Sequence, residues 1–177
     1  MLNPEAYVAQ PAPGRACGAC TLCCKVYDVP AVESVAGTWC RHTRAGQGCA
    51  IHATRPDHCR AFHCLWMTEG WLGPEWKPDR AKMVLSLDPL TRNMNVQVDP
   101  GQAGAWRREP YYGQLKRWAV ASVPLRRHVL VHVNKSTTVI LPDRDVGLGI
   151  VGADERIVTT DRMTPQGPSF DVRKVPA

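Results

Sequence analysis

All eight cysteines of this 177-residue chain lie between Cys17 and Cys64, and none follows. They run Cys17-x2-Cys20-x2-Cys23-Cys24, then Cys40, Cys49, Cys59 and Cys64. Thiols at this density are bridged, bound to metal or buried as small hydrophobes. A two-residue gap lets the backbone curl so that both sulfurs meet one centre, and soft thiolates select zinc, copper(I) and iron–sulfur clusters. Eight thiolates divide into two four-coordinate sets, and a C-x2-C-x2-C run also opens the cluster-binding segment of bacterial ferredoxins. Iron, as an iron–sulfur cluster, is therefore favoured, with zinc as the alternative. Cys23 and Cys24 are adjacent and are expected to point to different centres, or to divide into one ligand and one packing residue. His42, His52, His58 and His63 stand close to cysteines in sequence and are open as additional or replacement ligands.

Disulfides need an oxidising compartment. The first 14 residues carry Glu5 as their only charge and lack the basic start and apolar stretch of a secretory signal, so they read as a flexible arm of a cytoplasmic protein. No apolar run approaches the roughly 18 residues needed to span a bilayer, which argues against a membrane. The formal charge of +6 is dispersed, with Arg107-Arg108 and Arg126-Arg127 as the adjacent pairs, and this argues against nucleic acid. Part of the excess sits in the cysteine segment, where ionised thiolates would offset it. The implied partner is a metal ion; nothing in the sequence names a protein partner.

Three regions are expected: an arm at 1–14, a cysteine-cluster segment at 15–66, and an α+β scaffold at 67–177 continuous with it. Glycines at 18, 37, 46 and 48 and prolines at 30 and 56 break the cysteine segment into short pieces. On a helix, Cys17, Cys20, Cys23 and Cys24 would share an arc of ~120°. A second short helix is expected from Pro56, carrying Cys59; Cys59 and Cys64 would sit ~140° apart on it, so the helix must end between them if both face one centre.

In the scaffold, 82–87 and 95–98 read as strands joined by turn residues, Pro110 opens a helix to about Ala121, and 128–133 and 136–141 read as strands around the turn Asn134-Lys135. The fold class is α+β, with a small antiparallel sheet and one main helix. Trp71, Leu72 and Trp76, with Trp106 and Trp118, are expected in the core, and Trp39 and Trp66 beside the site. Gly147-Leu-Gly-Ile-Val-Gly152 matches G-x-G-x-x-G, but Arg156–Thr160 reads as strand where a dinucleotide site needs a helix, so a glycine-rich turn is preferred.

The run Cys17-Gly-Ala-Cys-Thr-Leu-Cys-Cys24, with Trp39-Cys-Arg, Gly48-Cys-Ala-Ile-His52 and Arg55-Pro-Asp-His-Cys-Arg-Ala-Phe-His-Cys64, resembles the bacterial zinc- or iron-chelating CxxCxxCC family, the YkgJ-type cysteine-cluster proteins. The resemblance spans about residues 17–66 and includes all eight cysteines. It implies a metal-binding cluster and no particular reaction. The expectation is thus an iron-binding protein with a redox, metal-handling or sensing role. The alternatives are a structural zinc module of an interaction protein and a metal-dependent enzyme.

Overall fold

The computed structural model describes residues 10–165 and 167–177. The chain divides into two compact units, Met1–Ser86 and Leu87–Ala177. Residues 67–86 lie in the first unit, with the cysteine segment.

Among the described residues, the first unit has only short elements. They are α1 (Cys23–Val26), β1 (Thr43–Arg44), β2 (Gly48–Cys49), α2 (Asp57–Ala61), α3 (Leu65–Thr68), α4 (Pro78–Ala81) and β3 (Met83–Leu87), the last crossing into the second unit. The single helix that would have carried four cysteines does not form. Gly18 sits in the left-handed region at φ 54°, which breaks the run into two turns. One is closed by the Cys20 N–H donating to Cys17 O, the other by the Cys24 N–H donating to Thr21 O. Helix α2 matches expectation closely: Pro56 precedes it in extended conformation, the Arg60 N–H donates back to Pro56 O, and the helix ends at Ala61, between Cys59 and Cys64.

Leu22, Val26 and Val84 form a buried cluster, on which Tyr27, Phe62 and three cysteines pack. Leu72 and Trp76 are also buried, but Trp71 is 62% exposed, which corrects its expected place in the core. Its indole N–H instead donates to Glu69 Oε2 at 2.9 Å, out on the surface. The expected arm falls partly outside the described residues, at 1–9. Residues from 10 onward are tethered: the Ala12 N–H donates to Met67 O at 2.7 Å, and the Arg15 guanidinium donates to the carbonyls of Trp66, Glu69, Gly70 and Leu72.

The second unit contains β4 (Met94–Val98), α5 (Tyr111–Ser122), β5 (Val129–Val133), β6 (Ser136–Ile140), β7 (Asp145–Ile150), β8 (Glu155–Thr164) and β9 (Gly167–Pro176). The turn before β4 is closed by the Asp88 N–H donating to Asn93 O. The Asp88 carboxylate accepts from the backbone of Leu90 and Thr91 within it. Strand pairing is antiparallel for β5–β6, β6–β7 and β8–β9. The pair β4–β5 is parallel, because the connection between them is a crossover that contains α5 rather than a hairpin. Asn134, at φ 53°, makes the tight turn between β5 and β6.

Alternating apolar residues of β5 and β6 meet Leu141, Phe170 and Val172 in one buried cluster, so one face of the β8–β9 ribbon covers the sheet. Leu115 and Ala119 bury the inner face of α5. The glycine-rich stretch is strand, not turn. Thr137 pairs with Gly149 and Thr138 with Gly147, so Leu148 is the extra residue of a bulge, and Gly149 at φ 64° supplies the backbone conformation a bulge requires. Trp106 is buried, as expected, and Trp118 is partly buried. The α+β class therefore holds; β8 contains the strand expected at 156–160, and β7 and β9 are added to the strands that the sequence predicts after α5.

Candidate metal centre

The cysteine segment is folded around itself by backbone bonds that begin or end beside the thiols. The Cys40 N–H donates to Cys24 O at 3.0 Å, which ties the middle of the segment to the end of the first run. The Ala50 N–H donates to His42 O, and β1 pairs Thr43 with Cys49, which folds Cys49 back toward Cys40. Gly48 lies so close to Gly18 that a Cβ on it would stand 2.7 Å from Gly18 O. Only glycine permits that approach, and it brings the strand carrying Cys49 against the turn carrying Cys17 and Cys20. The Met67 N–H donates to Cys64 O at the start of α3 and fixes the last thiol.

These contacts bring all eight cysteines to the wall of a single cavity of about 220 Å³. All eight are free thiols. Such a space is many times the ~10–15 Å³ that one water-sized probe requires. The Sγ atoms of Cys23 and Cys24 are 4.0 Å apart, close to the ~3.8 Å separating two sulfurs on a tetrahedral metal with ~2.3 Å bonds. Both residues line the same cavity, and Cys23 also packs on the cluster of Leu22, Val26 and Val84. Among the described residues, no three or more His, Cys, Asp or Glu side chains are grouped to hold one ion. The thiols ring a space rather than converging on a point.

Much of the rest of the wall is apolar and aromatic. Tyr27 and Phe62 meet edge to face at 5.0 Å and both line the cavity, with Val29, Val32 and Val84 beside them. Trp66 lines it too, with the Arg15 guanidinium 4.9 Å and the Lys77 ammonium 5.7 Å from its ring. Trp39, expected beside the site, is not in the wall; it is 51% exposed, and Lys25 lies over its ring. Arg55 lines the cavity while its guanidinium donates to His52 O at 2.9 Å.

This setting acts on the thiols. Burial raises Cys17, Cys20 and Cys59, with the positive charge of Arg55 offsetting part of the effect at Cys17, and it pushes Cys64 up to about 11. The hydrogen bond shared by Cys23 and Cys24 holds Cys23 protonated, and the same bond lowers Cys24, which ionises first. Burial also pushes the Tyr27 phenol up to about 12, so it stays neutral in the wall. Ionising several neighbouring thiols together needs compensating positive charge, which a bound cation would supply while displacing the protons.

All four histidines expected near the site line the cavity, but in different ways. His52 and His58 are exposed, and His42 Nε2 accepts from Arg41 Nε at 3.4 Å. His63 Nδ1 is buried with no hydrogen-bond partner, and so is Trp66 Nε1. Leaving a buried polar group unpaired costs ~1–3 kcal/mol. Spacing alone does not single out these two residues, because every one of the four histidines is near a cysteine in sequence.

Compared with protein families, curated proteins and solved structures, the chain matches none. No helix among the described residues is long and apolar enough to cross a membrane.

Proposed function

We propose that this chain is a metal-binding protein whose eight cysteines hold iron, as an iron–sulfur centre, in the cavity they line. The observation that carries the reading is the convergence of Cys17, Cys20, Cys23, Cys24, Cys40, Cys49, Cys59 and Cys64, all free thiols, on one space far larger than a single ion. The donor set fits the group: soft sulfur, in a number that two four-coordinate sets or one polynuclear centre would use. The 4.0 Å spacing of Cys23 and Cys24 suits two ligands of one centre. The order of the motif and its resemblance to the CxxCxxCC proteins add support. When bound, such a centre supplies one-electron chemistry, in keeping with a redox, metal-handling or sensing role in the cytoplasm. Around it, Tyr27, Phe62 and Trp66 exclude water, and Arg55 with Lys77 contributes positive charge.

Anaerobic purification with quantification of iron, zinc and acid-labile sulfide tests this reading. The expected result is coloured protein with visible charge-transfer absorption and stoichiometric sulfide. Colourless protein carrying zinc and no sulfide rejects it.

A structural zinc module is the second reading. It is favoured by the shortness of the elements between residues 17 and 66, none of them longer than the five residues of α2 among those described. A segment built this way gains little from regular backbone bonding, and a closed metal site would hold it together. Zinc has no accessible redox change, so a reversible redox transition at constant metal content decides against this reading.

A further inference from the structure

We infer that His63 is a nitrogen ligand of the centre through Nδ1, so that the site is a mixed thiolate–imidazole site rather than an all-sulfur one. The inference rests on the metal-binding reading above and deepens it by choosing one histidine among four. Three observations lead to it. His63 lines the cavity shared by the cysteines. Its Nδ1 is buried and has no hydrogen-bond partner in the protein. It stands at the break between two cysteine-bearing pieces, two residues past Ala61, where α2 ends, and one before Cys64, the residue preceding α3.

A neutral imidazole nitrogen without its proton is a good ligand for iron and zinc alike. A buried nitrogen that finds no donor or acceptor among its neighbours is satisfied by a metal bond. The other three histidines lack this combination. His52 and His58 are exposed to water, and His42 Nε2 already accepts from Arg41. The orphaned group beside it, Trp66 Nε1, has a different role available. An indole N–H can only donate, and sulfur is the acceptor this cavity offers, so Trp66 fits as a hydrogen-bond donor to a bound sulfur while His63 fits as a ligand.

The test is metal-edge X-ray absorption on the full chain, loaded anaerobically with iron and sulfide or with zinc alone, after metal content has been counted. A nitrogen shell at about 2.0–2.1 Å with the outer-shell scattering of an imidazole, beside sulfur at about 2.3 Å, is expected in the native protein. That signal should disappear in His63→Ala and persist in His42→Ala, His52→Ala and His58→Ala. His63→Cys keeps a ligand at the position, so it should retain the metal and turn the first shell wholly to sulfur, which covers the case in which His63→Ala fails to load. Where the centre is paramagnetic, hyperfine coupling to 15N-labelled histidine reads the same atom. A sulfur-only shell in loaded native protein overturns the inference while leaving the metal-binding reading standing, and so does an imidazole signal that survives in His63→Ala. A chain that takes up no metal overturns both.

Discussion

In the second unit, Val129 and Val139 are fully buried, as is Leu115 of α5, and the strands that carry the valines are paired along their length. Around the cysteines of the first unit the buried cluster is Leu22, Val26 and Val84, and three of the five side chains packed on it are cysteines, Cys20, Cys23 and Cys64. One region is held by apolar area and a sheet ladder. The other spends much of its interior on groups whose strongest interactions are with a cation. The contrast teaches that similar packing can hide different sources of stability: the first unit is expected to depend on its ligand and the second to be indifferent to it.

The sharpest way to break this comparison is to strip the proposed metal. Chelation under reducing conditions should remove on the order of 10 kcal/mol from the cysteine segment, the scale of thiolate-rich structural sites. Hydrogen exchange should then show residues 17–66 losing protection while β5 and β6 keep theirs; equal loss in both units would end the distinction. The reverse perturbation is Leu115→Ala, which opens a cavity in the second unit and should cost about 2–5 kcal/mol there. Metal content should be unchanged. A finer test lies at Trp66→Phe, which keeps an aromatic ring, smaller than the indole, but removes the buried N–H. Competition titration should show metal affinity falling about tenfold at unchanged stoichiometry, in the range found when outer hydrogen bonds to metal sites are lost.

Acid probes the second unit without involving thiols. His132 Nε2 lies 3.1 Å from Asn95 Oδ1 and Nδ1 lies 3.1 Å from Thr137 Oγ1, so with the Asn carbonyl accepting, the ring is neutral with its proton on Nε2. His128 Nε2 bonds Thr159 at 2.7 Å. Burial lowers both pKa values from 6.5, so the folded unit binds fewer protons than the unfolded chain once the pH falls below that value. Their contribution is complete above about pH 6.5 and is lost as the pH falls through the lowered values. Unfolding free energies from denaturant titrations should decline by less than about 1.4 kcal/mol per pH unit per histidine, and by less again at the more exposed His128. The smallest effect is expected from Trp71→Ala, within about 0.5 kcal/mol, since that ring is exposed.

Much of the second unit is legible from residue order. Strand patterns mark Met94–Val98, Val129–Val133 and Ser136–Ile140, as they mark Met83–Leu87 at the end of the first unit, and a 3.6-residue period marks α5, each within a residue or two. The first half of β8 is marked at Arg156–Thr160, whereas β7 and β9 escape because their signals conflict. Three glycines suggest a turn where a bulge absorbs one extra residue, and Pro168 and Pro176 interrupt an otherwise β-rich ribbon. In the cysteine segment, spacing identifies all eight thiols, but their meeting around one cavity depends on backbone contacts between distant pieces, such as Gly18 with Gly48 and Cys24 with Cys40. No local pattern encodes those contacts. Trp71 and Trp39 show the same limit: apolar type suggests burial, and only tertiary packing shows which tryptophans obtain it.

The Arg15 guanidinium, spread over four backbone carbonyls between Trp66 and Leu72, makes a strap out of a residue that carries no ligand. Trimming the chain at the first cysteine would preserve every thiol and still leave those carbonyls without their donor and the Trp66 wall without one of its two cations. The shortest piece that keeps these bonds therefore starts upstream of the motif, at or before Ala12, whose own N–H is bonded to Met67 O.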